Sequence, residues 1–165
     1  MRAVVQRVSE ATVKVDDQIF GTIKKGLVAL VAVRAEDTEA DLEYIVKKLV
    51  GLRIFSDEVG KMNLSVKDIG GELLIVPQFT LYGSVVKGMR PSFIASGSVE
   101  EAEKKYNLFI EKLGGEEVPF ETGQFQADMK VSLVNDGPVT ILIDSSKLFY
   151  KFMLRNEEDF IWYAI

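Results

Sequence analysis

Neither cysteine nor histidine occurs anywhere in the 165 residues. Their joint absence removes most of the familiar machinery of hydrolysis, because no Ser-His-Asp triad, thiolate nucleophile or imidazole base can be built from this chain. Sulfur and imidazole ligands for zinc are missing with them. The carboxylates form no ligand-like cluster along the sequence, so neither a metal nor any other cofactor is expected. A disulfide framework is excluded, which suits an intracellular protein. Long hydrophobic runs are absent too: the most apolar stretch, Leu27 to Val33, is far short of the roughly 20 residues a helix needs to cross a bilayer. Met1 to Ala11 mixes charged and apolar positions instead of setting a basic stretch before an apolar one, so no signal peptide is read there. A cytoplasmic protein with no membrane partner is the expectation.

Positive charge is in short supply. The balance of 25 acidic against 20 basic residues gives a net charge of −5, so no overall attraction to nucleic acid is expected and any contact with it must be local. Lys24-Lys25, Lys47-Lys48, Lys87 with Arg90, Lys104-Lys105, and Lys147 and Lys151 with Arg155 are the candidate clusters. Each reads as a solvated face unless it lies beside a chemical site. What the chain does have is the composition of an ordinary folded domain, 47% apolar and 27% charged, in a length that fits one domain.

Arg2 to Val15, rich in branched residues, predicts a strand that turns at Asp16-Asp17 into a second strand ending near Ile23. Leu27 to Val33 is apolar without alternation, as a strand covered on both faces would be. Thr38 with Asp41 makes a capping-box start, and Leu42, Ile45, Val46 and Leu49 follow at helical spacing. Glu72 to Leu81 predicts another strand, with Leu73 to Val76 at its buried centre and Pro77 at its end or at a bulge. Ser98 with Glu101 predicts a second capped helix whose apolar face is Ala102, Tyr106, Phe109, Ile110 and Leu113, ended by Gly114-Gly115. Val118 to Ile143 reads as strands broken by a turn at Asn135-Asp136-Gly137-Pro138. A single α/β domain follows.

Three segments are less ordinary. Pro77-Gln78-Phe79-Thr80-Leu81-Tyr82-Gly83 closes a buried strand with alternating polar and apolar residues, which is either a half-exposed strand end or a pocket wall whose amides and hydroxyl face a ligand. Lys87-Gly88-Met89-Arg90-Pro91-Ser92-Phe93 is a basic loop whose cations suit phosphate, although many surface loops look alike. In Asn135-Asp136-Gly137-Pro138-Val139-Thr140, the tertiary amide of the Gly-Pro step lowers the cost of a cis bond to about 0.5–1 kcal/mol, yet trans is still the default.

Together, the Gln-Phe-Thr-Leu-Tyr strand end and the Asn-Asp-Gly-Pro-Val-Thr turn resemble the D-aminoacyl-tRNA deacylase family. The likeness begins at Met1-Arg2-Ala3-Val4-Val5-Gln6-Arg7-Val8, continues through Gly60-Lys61-Met62-Asn63-Leu64-Ser65 and Lys87 to Phe93, and runs through Thr122 to Asp144. Pro77 stands where the family usually has serine, and Gln126 where it usually has glycine.

The resemblance implies a three-layer α/β/β domain over residues 1–145, with mixed, largely antiparallel sheets and two main helices. Residues 146–165 would be an apolar extension docked on the body or on a partner subunit. It implies hydrolysis of the ester of D-aminoacyl-tRNA, with glycyl-tRNA as a possible further substrate, by a homodimer that binds the aminoacylated 3′ end of tRNA. Thr80, Phe79 and Gln78 would form the catalytic group, with Thr80 as nucleophile or as a residue that positions water. Gly137, Pro138, Arg7, Met129, Ala127 and Phe125 would contact substrate, and Lys87 and Arg90 the tRNA. A cis Gly137-Pro138 step of one subunit would enter the partner's site and reject L-aminoacyl groups, braced by Arg7. Two other readings stay open: a non-catalytic RNA-binding dimer, and an esterase for a different activated acyl compound.

Overall fold

A computed structural model of the chain describes residues 1–96 and 98–148. Most of the predicted C-terminal extension therefore lies outside the described residues. The first strand, β1 (Arg2–Val15), turns through Asp16 and Asp17, both with positive φ, into β2 (Gln18–Ile23). Next come β3 (Gly26–Ala32) and helix α1 (Glu39–Gly51), then the short strands β4 (Phe55–Ser56) and β5 (Met62–Leu64), which pair with each other. Strand β6 (Glu72–Pro77), helix α2 (Val99–Gly114), β7 (Phe120–Thr122) and β8 (Met129–Asp144) complete the described domain.

Most predicted elements form where the sequence places them. Thr38 caps α1: its hydroxyl accepts from the Asp41 amide, and the Asp41 carboxylate accepts from the Thr38 amide at 2.8 Å. Partial burial of Asp41 would raise its pKa, but the hydrogen bonds from Thr38 outweigh that and hold it at about 2. Three expectations need correction. Ser98 does occupy the cap position of α2, but its hydroxyl makes no capping bond, and Glu101 instead pairs with Lys104 at 3.1 Å. Strand β6 stops at Pro77 instead of Leu81; after one more bond, from the Gln78 amide to the Val31 carbonyl, the chain folds into a 3-10 turn over Phe79–Tyr82. Asn135 to Pro138 does not separate two strands. It is a bulge inside the continuous β8, because Gln6 pairs with Thr140 and Val8 with Asn135, leaving residues 136–139 opposite Arg7 alone.

Six strands form one sheet in the order β2-β1-β3-β6-β7, with β8 on the other edge of β1. Pairings of β1 are antiparallel, whereas β3-β6 and β6-β7 are parallel. The sheet curls until β2 meets β7, where a Cβ on Gly21 would lie 3.1 Å from the Cβ of Glu121. Two cores result. Leu27, Ala29 and Val31 of β3 with Leu73 and Ile75 of β6 face the helices, while Val28, Leu74 and Val76 face an inner core with Val8, Ala11, Val13 and Ile23. Burial on both faces explains why β3 and the middle of β6 are apolar without alternation.

Close approach of β3 to β6 depends on Gly26, since a Cβ there would stand 1.9 Å from the Glu72 carbonyl oxygen. Gly51, by contrast, has nothing within 4 Å of the same position. We expect Gly26→Ala to lower stability by about 3 kcal/mol and Gly51→Ala to raise it by up to about 1 kcal/mol. Urea unfolding of the two variants checks both signs.

Candidate active site

Strands β3 and β6 run parallel and end together, and the chain leaves the sheet there in both cases. Their ends, at Val31 to Val33 and at Val76 with Pro77, form the floor of a cleft of about 520 Å³. Gln78 and Phe79 make one wall, Val99, Ala102 and Tyr106 of α2 another, and residues 125–129 a third. The lining is mostly apolar and includes three aromatic rings, so the cleft suits a flat or apolar group with a few polar contacts at its edge.

Five residues singled out from sequence meet in this cleft: Gln78, Phe79, Phe125, Ala127 and Met129. Thr80 adjoins it on the 3-10 turn, where its hydroxyl oxygen accepts a hydrogen bond from the Gln78 side-chain amide. That amide is a donor and cannot serve as a base. The amides of Phe79 and Thr80 open the turn and have no acceptor inside it. Phe79, 57% exposed, rests edge-on against Phe93 with ring centroids 5.2 Å apart. Both departures from the family pattern, Pro77 and Gln126, line the cleft as well.

Arg7, Gly137 and Pro138 are not in the lining of this cleft. They sit at the bulge of β8, where the Gly137-Pro138 peptide bond is cis and both residues are exposed. Arg7 Nε donates to the Asp136 carbonyl at 3.0 Å and Nη1 to the Ile54 carbonyl at 2.6 Å, tying the bulge to the segment after α1. Gly137 has φ +128°, and a Cβ on it would fall 2.6 Å from Arg7 Nη2. Lys87 and Arg90 lie on an exposed loop closed by paired backbone bonds between Ser84 and Ser92, outside the lining.

Sequence reasoning missed Tyr106 as a cleft residue. Its spacing with Ala102 and Phe109 marks it as core, and it is buried, yet its ring packs 5.5 Å from Phe125 at the cleft wall. Its hydroxyl is buried without a hydrogen-bond partner among the described residues, and that burial raises its pKa. Also missed were Arg2 and Arg34, whose guanidinium groups lie 4.6 and 4.9 Å from the ring centre of Tyr82 at the end of the turn. No signal in the sequence joins these three, since each belongs to a different element. Among the described residues no three carboxylates converge as they would on a metal ion.

Comparison with known proteins places this geometry. A family model described as D-Tyr-tRNA(Tyr) deacylase matches residues 4–144. The D-aminoacyl-tRNA deacylase of Thermotoga petrophila is 57% identical over 149 residues, covering 90% of this chain and all of that one. That of Thermosipho melanesiensis is 57% identical over 150 residues, with the same coverage. Among solved structures, a c-Myc DNA unwinding element binding protein is 42% identical with a TM-score of 0.82, covering 87% of this chain and 98% of its own. A probable eukaryotic D-amino acid tRNA deacylase, 17% identical with a TM-score of 0.74 over 86% and 97% of the two chains, shares the fold.

Gln126 holds φ +60°, in the left-handed region that favours glycine. Left-handed backbone costs a side-chain-bearing residue about 1–2 kcal/mol, and glycine's extra freedom when unfolded offsets about 0.5–1 kcal/mol of that. Gln126→Gly should therefore unfold at the same or a higher denaturant concentration than the parent, and a lower midpoint would contradict this account of the turn.

Proposed function

The chain belongs to the D-Tyr-tRNA(Tyr) deacylase family, and on that premise we propose that it hydrolyses the ester of D-aminoacyl-tRNA, releasing free D-amino acid and tRNA. The observation that carries this is the match over residues 4–144, joined to 57% identity along the full length of relatives that bear that name. No membrane partner is proposed; no helix among the described residues is long and apolar enough to cross a membrane. The proposed setting is the cytoplasm, where aminoacyl-tRNA is used.

An aminoacyl ester is already activated, so its hydrolysis needs positioning and charge stabilisation more than a strong base. That suits a chain without histidine. In this reading the amides that open the Phe79–Tyr82 turn face the developing oxyanion. Thr80, held by Gln78, orients the attacking water; a threonine nucleophile would need a base, and the hydrogen bond it accepts comes from an amide. In the same reading the ribose 2′-hydroxyl of the substrate assists that water. Phe125, Ala127 and Met129 contact the aminoacyl end, while Lys87 and Arg90 contact tRNA phosphates next to the Phe79 wall.

Discrimination against L-aminoacyl groups is assigned to Gly137-Pro138 of a second subunit, whose rigid backbone would read the α-amino group and occupy the space of an L side chain. Achiral glycine would pass such a filter, which makes glycyl-tRNA a further substrate. Support for a homodimer comes from the exposure of this step away from its own chain's cleft. It also comes from Val134 and Leu142, each 51% exposed on β8. A binding protein without catalysis is favoured by one observation, the 42%-identical structure described as binding a DNA element.

Parallel assays with D-aminoacyl-tRNA, its L-form and a free D-amino-acid ester decide among these. We expect turnover of the first alone. Cleavage of the free ester at a similar rate would make the chain a general esterase, and tRNA binding without cleavage would make it a binding module. Thr80→Ala should slow hydrolysis about ten- to a hundredfold, whereas loss of a nucleophile would cost on the order of a millionfold. Light scattering should give twice the 18.4 kDa chain mass, and full activity in a monomer would sink the shared site.

A further inference from the structure

The turn that carries Gln78, Phe79 and Thr80 stands outside the sheet, with Phe79 and Thr80 exposed. Something other than a strand ladder must therefore set its position. Of its four residues, Tyr82 is the buried one, at 5% exposure. Two guanidinium groups lie against its ring, that of Arg2 at 4.6 Å and that of Arg34 at 4.9 Å from the centroid. Both are themselves anchored. Arg2 Nε bonds Asp144 at 3.0 Å while its Nη1 donates to the Leu81 carbonyl at 3.0 Å, inside the turn. Arg34 pairs with Asp37 at 3.5 Å, and Asp37 also holds the Met1 ammonium group at 2.6 Å. Both carboxylates are buried, Asp144 at 1% and Asp37 at 3% exposure.

We propose that Tyr82, held by Arg2 and Arg34, is a positioning residue that sets the Gln78–Thr80 turn for the chemical step. This rests on the reading of that turn as the catalytic wall. An aliphatic residue could fill the same space, but only an aromatic face attracts a cation, and here two fixed cations converge on one ring. The device links the turn to the starts of β1 and of the segment after β3, and to the end of β8, so the wall is registered against the body of the domain. The substrate rests mainly on the other walls of the cleft, whereas the turn's amides and hydroxyl act as charge develops. Loosening the turn should therefore lower kcat and leave KM nearly unchanged.

The test compares Tyr82→Leu and Tyr82→Phe in the full-length protein, reading kcat and KM on D-aminoacyl-tRNA together with amide hydrogen exchange. Tyr82→Leu should lose at least about tenfold in kcat with KM within about twofold. Exchange should quicken at the Leu81 and Gly83 amides, which now bond the Gln78 and Thr80 carbonyls, and stay unchanged in β3 and β6. Tyr82→Phe keeps the ring and should restore both readouts. Parental kcat in the leucine variant, equal impairment of both variants, or faster exchange throughout the sheet would each overturn the proposal. If Tyr82→Leu does not fold, Arg34→Met carries the same test, and parental kcat there overturns it. A parent inactive on D-aminoacyl-tRNA would remove the functional reading, while the exchange comparison would still decide whether Tyr82 holds the turn.

Discussion

Strand β1 is hydrogen-bonded along both edges, to β3 and then β2 on one side and to β8 along nearly its whole length on the other. Where both edges are paired, its backbone donors and acceptors are satisfied by the neighbouring strands. Because both edges are committed, the irregularity at Arg7 cannot be absorbed locally. Strand β8 takes it up as four residues set against one, and Gly137-Pro138 is carried outward by that mismatch. The Arg7 guanidinium then occupies the bend, satisfying the carbonyls of Asp136 and Ile54. The most distinctive backbone feature of the molecule is thus a consequence of strand pairing around one arginine.

The same pairing makes the cleft. Strand β3 is fixed by β1, and β6 can approach β3 only because Gly26 leaves room for the Glu72 carbonyl. The two parallel strands end level, and Pro77, which has no amide hydrogen to donate, is the last residue of its ladder. A turn forced out of the sheet at that point presents free amides at the edge of an apolar hollow. Backbone dipoles oriented in this way are one means of stabilising a developing negative charge that needs neither imidazole nor thiolate.

Buried charge gathers close to this site. Three buried or half-buried cations, the Met1 ammonium group, Arg2 and Arg34, meet two buried carboxylates, Asp37 and Asp144, behind the turn. Buried ion pairs add little net stability, since desolvation consumes much of the attraction, but removing one partner leaves a costly unpaired charge. Such a network is better suited to holding a geometry than to raising stability. Its place behind the Phe79–Tyr82 turn, which stands outside the sheet, fits that use.

Much of this was legible in the sequence. Periodicity located both helices, and the uninterrupted apolar runs at Leu27 and Leu73 announced strands covered on both faces, because these signals depend on neighbours within a few residues. The motifs around Gln78 and Gly137 marked the segments that resemble a deacylase, and Phe125, Ala127 and Met129 do meet Gln78 and Phe79 in one cleft. Three things could not be read there. The end of β6 at Pro77 was hidden because Gln78 to Leu81 still alternates like a strand, while the bonds that fold it are local 3-10 contacts. The bulge at Gly137 looked like a turn because its cause, the register of β1, lies about 130 residues away. Arg2, Arg34 and Tyr82 carry no common pattern at all, and only the pairing of β1 with β3 and of β3 with β6 brings their side chains together at the strand ends. Local periodicity and turn chemistry are properties of the chain; which distant side chains share one volume is decided by packing, and that exists only once the sheet has closed.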